Sequence, residues 1–289
     1  VNGIISGANR VAFQGERGAF GNQAAREALP HCEAVPKSTF GETVAALQDG
    51  ETDLAIIPVE NSLHGRISDV YHILPDAGLH IVGEYFLPIH LQLLGVEGAT
   101  VEDLKIVVSQ SPALGQCRKL IKDRGLKTQD WFDTAGSARY VSELGDPSVA
   151  AVASSLAGEI YGLSVLQANV EDEAHNATRF LIMARSPNET VDGQAPVVTT
   201  LVFRVRNVPA ALFKALGGFA TNGVNMTKLE SYQMGGTFNA TQFYADIDGH
   251  PDENPVRLAL EELSFFSNRV TVLGSYAADS FRKRIVDGC

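Results

Sequence analysis

The sequence predicts an α/β protein in two parts: a larger, two-lobed α/β part, then a smaller part of βαββαβ order. Three observations lead there. The chain has 289 residues, roughly two domains at about 150 residues each. Its first part alternates short apolar runs with helical patterns, which predicts parallel sheets with helices on both faces. After a polar break the order of elements changes.

Val11-Ala-Phe-Gln14 reads as a strand and Gly18 to Leu29 as a helix. The helical run Phe40 to Gln48 feeds a second strand, Asp53-Leu-Ala-Ile-Ile-Pro-Val59. His80 to Val96 is one extended run, suited to carrying the chain between two lobes. Leu104 to Ser109 reads as a strand, Ala113 to Arg124 as a helix and Ser137 to Leu144 as another. The strands Val149-Ala-Ala-Val152 and Phe180-Leu-Ile-Met-Ala184 complete this part. Ser186 to Pro196 is polar, holds two prolines and predicts a linker. Beyond it come a strand (Val197 to Val205), a helix (Ala210 to Ala220) and a strand (Asn225 to Tyr232). A strand (Phe238 to Ile247), a helix (Pro255 to Phe266) and a strand (Arg269 to Tyr276) follow, which is the ferredoxin-like order. Met234-Gly-Gly-Thr237 is the turn signal between its second and third strands. The expected layout is 9–187 for the first part, with lobes of about 9–87 plus 170–187 and 88–169, then a linker over 188–196 and a second domain over 197–277.

Composition narrows the function classes. With 45% hydrophobic and 20% charged residues the chain is neither disordered, collagenous nor coiled-coil. A net charge of −11 argues against a general nucleic-acid binder. Cys32, Cys117 and Cys289 lie far apart without CxxC spacing, so neither a disulfide framework nor a metal site is expected. The seven histidines (31, 64, 72, 80, 90, 175 and 250) form no metal-ligand pair, and each is read as structural. No basic segment followed by a long apolar run opens the chain, and no apolar stretch reaches the roughly 18 residues of a membrane span. No signal peptide is expected, a cytoplasmic address is, and the four Asn-x-Thr triplets at Asn176, Asn188, Asn225 and Asn239 are coincidences.

GxSxG, Walker A and HExxH strings are absent. Gly15-Glu-Arg-Gly18-Ala-Phe-Gly21 lacks dinucleotide spacing and reads as a plain βα turn. Ile57-Pro-Val-Glu-Asn-Ser-Leu-His-Gly65 ends an apolar strand in polar side chains. Glu60, Asn61 and Ser62 there either face a cleft or serve as a helix cap and a solvated charge. Ser109-Gln-Ser-Pro-Ala-Leu-Gly-Gln-Cys117 places hydroxyls and amides at a helix start, where an ordinary N-cap region is the plain alternative. In Asn176-Ala-Thr-Arg-Phe180, Thr178 offers a hydroxyl and Arg179 a fork for a carboxylate. Taken alone, that tripeptide is the opening of a strand.

These segments fall in one order, together with Asp133-Thr-Ala135 and Tyr161-Gly-Leu163. In that order they resemble prephenate dehydratase. Pro209-Ala-Ala-Leu-Phe-Lys-Ala-Leu216 and Thr227-Lys-Leu-Glu-Ser231 resemble the ACT regulatory domain fused to that enzyme. The resemblance covers about Val11 to Tyr276. It departs from the family pattern at Phe20-Gly21, at Gln110-Ser111, and at Tyr232-Gln233, where the family has arginine and proline.

The resemblance implies a two-lobed catalytic domain like a periplasmic binding protein, with the site in the cleft, and a C-terminal ferredoxin-like ACT domain. It implies loss of carbon dioxide and the ring hydroxyl from prephenate, giving phenylpyruvate, with no metal or organic cofactor. Thr178 matches the family threonine that assists the departing hydroxyl, Arg179 matches a carboxylate-binding arginine, and Phe180 packs the tripeptide. Asn61, Ser62, Ser111 and Gln116 are neutral donors suited to the departing carboxylate, with Glu60 and Asn176 as further substrate-binding candidates. Pro209, Ala210, Ala211, Leu212, Glu230 and Ser231 are the candidates for binding regulatory L-phenylalanine. A homodimer or homotetramer is expected, with no nucleic-acid or membrane partner. Two alternatives stay open: an arogenate dehydratase, and a non-catalytic amino-acid sensor of the same folds.

Overall fold

The computed structural model describes residues 3–188, 195–233 and 240–286. The middle of the expected linker (189–194), the Met234-Gly-Gly-Thr237 turn, Asn239 and Cys289 lie outside them. Helix α1 (Gly3–Ser6) precedes β1 (Arg10–Gln14), α2 (Phe20–Ala28), β2 (Glu33–Lys37), α3 (Phe40–Gln48) and β3 (Leu54–Asn61). Then come β4 (Gly65–Arg66), α4 (Ser68–Ile73), β5 (His80–Pro88) and β6 (Gln92–Gly95). The next run is β7 (Ile106–Ser109), α5 (Ser111–Gly115), α6 (Arg118–Arg124), β8 (Lys127–Asp130) and α7 (Thr134–Leu144). It continues through β9 (Val149–Ala153), α8 (Ser155–Tyr161), β10 (Ser164–Gln167) and β11 (Ala177–Ala184). The last stretch holds β12 (Val197–Val205), α9 (Ala211–Thr221), β13 (Met226–Gln233), β14 (Ala240–Asp248), α10 (Asn254–Phe266), β15 (Ser267–Ala277) and α11 (Phe281–Val286).

Packing divides the chain into two units. One comprises Asn9–Ile67 and Phe86–Phe180; the other comprises Val1–Ala8, Ser68–Tyr85 and Leu181–Cys289. In the first, β1 pairs β2 and β3 in parallel. Capping sets the helix starts. Thr39 accepts the Glu42 N–H while Glu42 accepts the Ser38 N–H, and Asp133 accepts from Gly136. The Asp133 cap starts α7 three residues ahead of the position expected from periodicity.

The second sheet runs β10-β6-β9-β7-β8. Here the expectation of purely parallel sheets fails. Strand β7 is parallel to β8 and β9, but β6 is antiparallel to β9 and β10. The chain enters β6 from β5 of the other sheet, so no βαβ crossover fixes the direction of β6 against its neighbours β9 and β10. The single helix expected over Ala113 to Arg124 is two, interrupted at Gln116-Cys117.

The other unit contains a four-stranded antiparallel sheet of order β13-β14-β12-β15, in the ferredoxin-like order read from the sequence. Its apolar face packs Leu201, Phe203, Phe243 and Ile247 against Ala215 and Phe219 of α9 and Ala259 and Leu263 of α10. Tyr232, where the family has arginine, is buried as a core aromatic. Its ring meets Tyr71 edge-on at 6.1 Å, and Gln242 donates to its hydroxyl at 2.5 Å.

Two buried carboxylates share one cation in this unit. Arg282 Nε and Nη2 reach Glu84 at 2.6 and 2.8 Å, and Nη2 reaches Asp246 at 3.4 Å. Asp246 also accepts from the Thr200 hydroxyl at 2.6 Å, so Tyr276 must be the donor in its own 2.6 Å bond to Thr200. Among the described residues no helix is long and apolar enough to cross a membrane.

Ala210, just before α9, has φ 61°. That left-handed conformation costs an L-residue about 1–2 kcal/mol, only part of which glycine loses again to unfolded-state entropy. Ala210→Gly is expected to stabilise the chain by about 0.5–1 kcal/mol, read from the denaturant midpoint at unchanged slope.

Candidate active site

The two sheets of the first unit are joined by two segments that run side by side. Leu91 N donates to Glu171 Oε2 at 2.9 Å, Val170 N to Leu91 O at 2.9 Å and Ile89 N to Asn176 O at 2.8 Å. This junction lies at the end of β3, where ligands sit in open α/β sheets.

Asn61 is the centre of the polar cluster there. Its Nδ2 donates to Asn176 Oδ1 at 2.6 Å, to Thr178 Oγ1 at 3.0 Å and to Ala177 O at 3.2 Å. Asn176 Nδ2 donates onward to Gln116 Oε1 at 2.5 Å, and Gln116 Nε2 meets His64 Nε2 at 2.6 Å. The helix break at Gln116-Cys117 is what brings Gln116 here from the second lobe. Because Thr178 accepts from Asn61, its own hydroxyl proton points elsewhere and can donate to a ligand oxygen.

Arg179 is 2% exposed within β11, whose eight residues are all buried. Its Nη1 is 3.1 Å from Glu60 Oε1, and the Phe86 ring lies 6.0 Å from the guanidinium. Glu60 supplies the counter-charge that a guanidinium buried so fully needs, through this one Nη1 contact. Phe180 is 2% exposed and packs, as expected. Ser62 donates to His175 O at 3.0 Å and accepts from Ala177 N at 2.9 Å, tying β3 to the start of β11.

Ser111 stands apart from this cluster. It donates to Asp130 at 2.7 Å and lines a cavity of about 500 Å³ with Gln110, Pro112, Trp131 and Phe132; none of the Asn61 cluster lines it. The glycine-rich turn after β1 is a lobe-to-lobe contact rather than a plain βα turn. Ser154 caps α8 through its oxygen and donates to Gly18 O, while Arg139 pairs with Glu16 and Tyr161 donates to Arg17 O. A Cβ on Gly18, whose φ is +89°, would come within 2.8 Å of Ala157 Cα.

Of the regulatory candidates, Pro209 and Ala210 are exposed at the start of α9, with Ala211 and Leu212 half-buried. On β13, Glu230 lies opposite Tyr244 and pairs with Lys228 at 3.5 Å, and Ser231 lies opposite Phe243. Strand β14 separates β13 from β12.

His64, read from spacing as structural, contacts Gln116 from the Asn61-to-Gly65 turn. Among the described residues no His/Cys/Asp/Glu cluster could hold a metal ion.

Hydroxyl, amide and ion-pair groups gather where the two α/β lobes join, a set suited to a small polar ligand. The family model described as prephenate dehydratase matches residues 11–188. A Komagataeibacter europaeus protein named as a bifunctional N-acyl-homoserine lactone acylase/prephenate dehydratase is 47% identical, over 97% of this chain and 100% of that protein. Arogenate dehydratase 2 of Petunia hybrida is 39% identical, over 94% of this chain and 72% of that protein. The crystal structure of prephenate dehydratase from Arthrobacter aurescens with L-Phe superposes at a TM-score of 0.84 with 28% identity, covering 93% of this chain and 90% of that one. The chain belongs to the prephenate dehydratase family.

Cys117, beside Gln116, is not a nucleophile of this site. Burial pushes its thiol up to about 12, with Asp172 and Glu171 adding to the shift. The native thiol stays protonated at pH 8, so Cys117 is expected to resist iodoacetamide until the chain unfolds. Peptide mapping of native and denatured samples reads this directly.

Proposed function

We propose that the chain is a prephenate dehydratase, converting prephenate to phenylpyruvate in L-phenylalanine biosynthesis. The observation that carries this reading is the Asn61–Thr178 bond, which leaves a hydroxyl proton free to act in a chain that matches the family over residues 11–188. The ring hydroxyl leaves as water while the neighbouring carboxylate leaves as carbon dioxide. The two electrons of the broken C–C bond complete the aromatic ring, and the departing oxygen gains one proton from the medium. Thr178 stabilises that oxygen by hydrogen bonding; alone, a threonine hydroxyl is too weak an acid to supply the proton. Asn61, Ser62, Ser111, Gln116, Asn176 and Glu60 are the substrate-binding candidates. Gln116 and Asn176 each keep an amide N–H as a neutral donor, while Ser62 and Ser111 donate to substrate only by releasing His175 O and Asp130. Losing a carboxylate's charge is then not opposed by a strong ion pair. Arg179 and Glu60 hold the end of β3 against β11. No metal or organic cofactor enters the reaction.

The C-terminal ferredoxin-like domain is read as an ACT domain. It binds L-phenylalanine through Pro209, Ala210, Ala211, Leu212, Glu230 and Ser231 in a homodimer or homotetramer, and acts in the cytoplasm. Binding reduces turnover to the extent that the ligand's affinities for open and closed clefts differ.

A second reading has its own support. The 47% identity to a named lactone acylase/prephenate dehydratase makes N-acyl-homoserine lactone amide hydrolysis a companion activity to assay. Purified chain with prephenate, followed as phenylpyruvate absorbance, tests the main reading. Faster turnover of arogenate would make the chain an arogenate dehydratase, and turnover of neither would make it an amino-acid sensor.

Thr178→Ala is expected to lower kcat by roughly 10²–10⁴-fold with little change in KM, as steady-state kinetics will show. Calorimetry is expected to show saturable L-phenylalanine binding, lost in a chain ending near Pro187.

A further inference from the structure

The sense of every hydrogen bond around Asn61 can be deduced. Asn61 Oδ1 accepts the backbone N–H groups of Leu63 at 3.0 Å and His64 at 3.1 Å. A backbone nitrogen can only donate, so the Asn61 amide cannot be turned over. Its Nδ2 must then face Asn176 Oδ1, which leaves Asn176 Nδ2 for Gln116 Oε1. Gln116 is left to present its N–H groups to His64 Nε2 at 2.6 Å. Such a contact is a bond only when that ring nitrogen carries no proton. The contact therefore requires the His64 tautomer with its proton on Nδ1. The chain of bonds starts at the backbone of His64 and closes on its ring.

We propose that His64 is a positioning residue for the dehydration, acting through Gln116. It comes from the turn after β3, and Gln116 comes from the helix break of the second lobe. By accepting Gln116 across the junction, His64 holds the Asn61–Asn176–Gln116 chain in one sense. That sense keeps Asn61 Nδ2 on the Thr178 oxygen and the Thr178 proton turned outward. Without an acceptor at position 64, the Asn176 contact alone holds the Gln116 amide in that sense. A rotated Gln116 sets Nε2 against Asn176 Nδ2, donor against donor, and the strain falls on the Asn61–Thr178 link. This role rests on the dehydratase reading.

The test uses the full chain with His64→Leu, which removes the acceptor, and His64→Gln, which keeps one in a side chain that does not titrate. His64→Leu should lower prephenate kcat about tenfold with KM changed by less than about threefold. His64→Gln should stay within about threefold of the unsubstituted kcat. In a Gln116→Leu background, His64→Leu should add almost nothing, because both changes break the same contact. Unchanged kcat in His64→Leu, equal loss in both variants, or additive losses would overturn the proposal. No prephenate turnover by the unsubstituted chain would overturn the dehydratase reading, and with it this role. Nitrogen-15 NMR of the imidazole gives a readout independent of activity: an Nδ1–H tautomer is expected, and an Nε2–H tautomer would refute the bond to Gln116.

Discussion

A guanidinium cannot stay in the interior without a counter-charge, and strand β11 buries one. Arg179 sits in a strand with no exposed residue, so Glu60 must come to it, and Glu60 is the last residue but one of β3. Fixing Glu60 fixes Asn61 and Ser62 after it. Ser62 then bonds the backbone at His175 and Ala177, and Asn61 spans Asn176, Ala177 and Thr178. The ion pair supplies the anchor, and neutral amides do the finer orientation. That division suits a reaction in which a substrate loses a charge, because an amide donor adapts to a charged or neutral oxygen more readily than a guanidinium does.

The glycine-rich turn and the amide cluster hold the lobes at two places by different means. At Gly18 the backbone approaches Ala157 so closely that no side chain fits, and Ser154 serves at once as helix cap and cross-lobe donor. At Gln116 the side chain reaches Asn176 while its backbone carbonyl accepts from Asp172 N. The first is a packed contact, and the second is made of hydrogen bonds.

Much of the architecture was legible because it rests on local pattern. The C-terminal βαββαβ order came through whole, since alternating strands and amphipathic helices carry their periods in the sequence. Strand direction does not, and so the antiparallel β6 was missed. Short exposed elements such as β8 and β10 bury too little to leave a pattern. The site was legible as separate fragments: Glu60 to Ser62, Gln116 and Asn176 to Phe180 all belong to one cluster or its support. Their partners were not legible. The Arg179–Glu60 pair joins residues 119 positions apart along the chain, so local pattern carried no sign of it. The His64–Gln116 contact was likewise hidden, because the sequence placed Gln116 in mid-helix.

The Glu84–Arg282–Asp246 cluster bears on where this polypeptide can be cut. The regular sheet ends at Ala277, and a boundary drawn there looks natural on the basis of strands alone. Yet Asp279 N and the Arg282 guanidinium both reach back to Glu84, and Glu84 belongs to β5, nearly two hundred residues earlier. Ending a fragment at 277 would remove Arg282 from both Glu84 and Asp246, and starting one at 197 would discard the strand that holds Glu84. The compact unit is therefore not the contiguous C-terminal segment: it is a composite interrupted in the gene, so that grafting or swapping this module has to carry Ser68–Tyr85 and the tail with it.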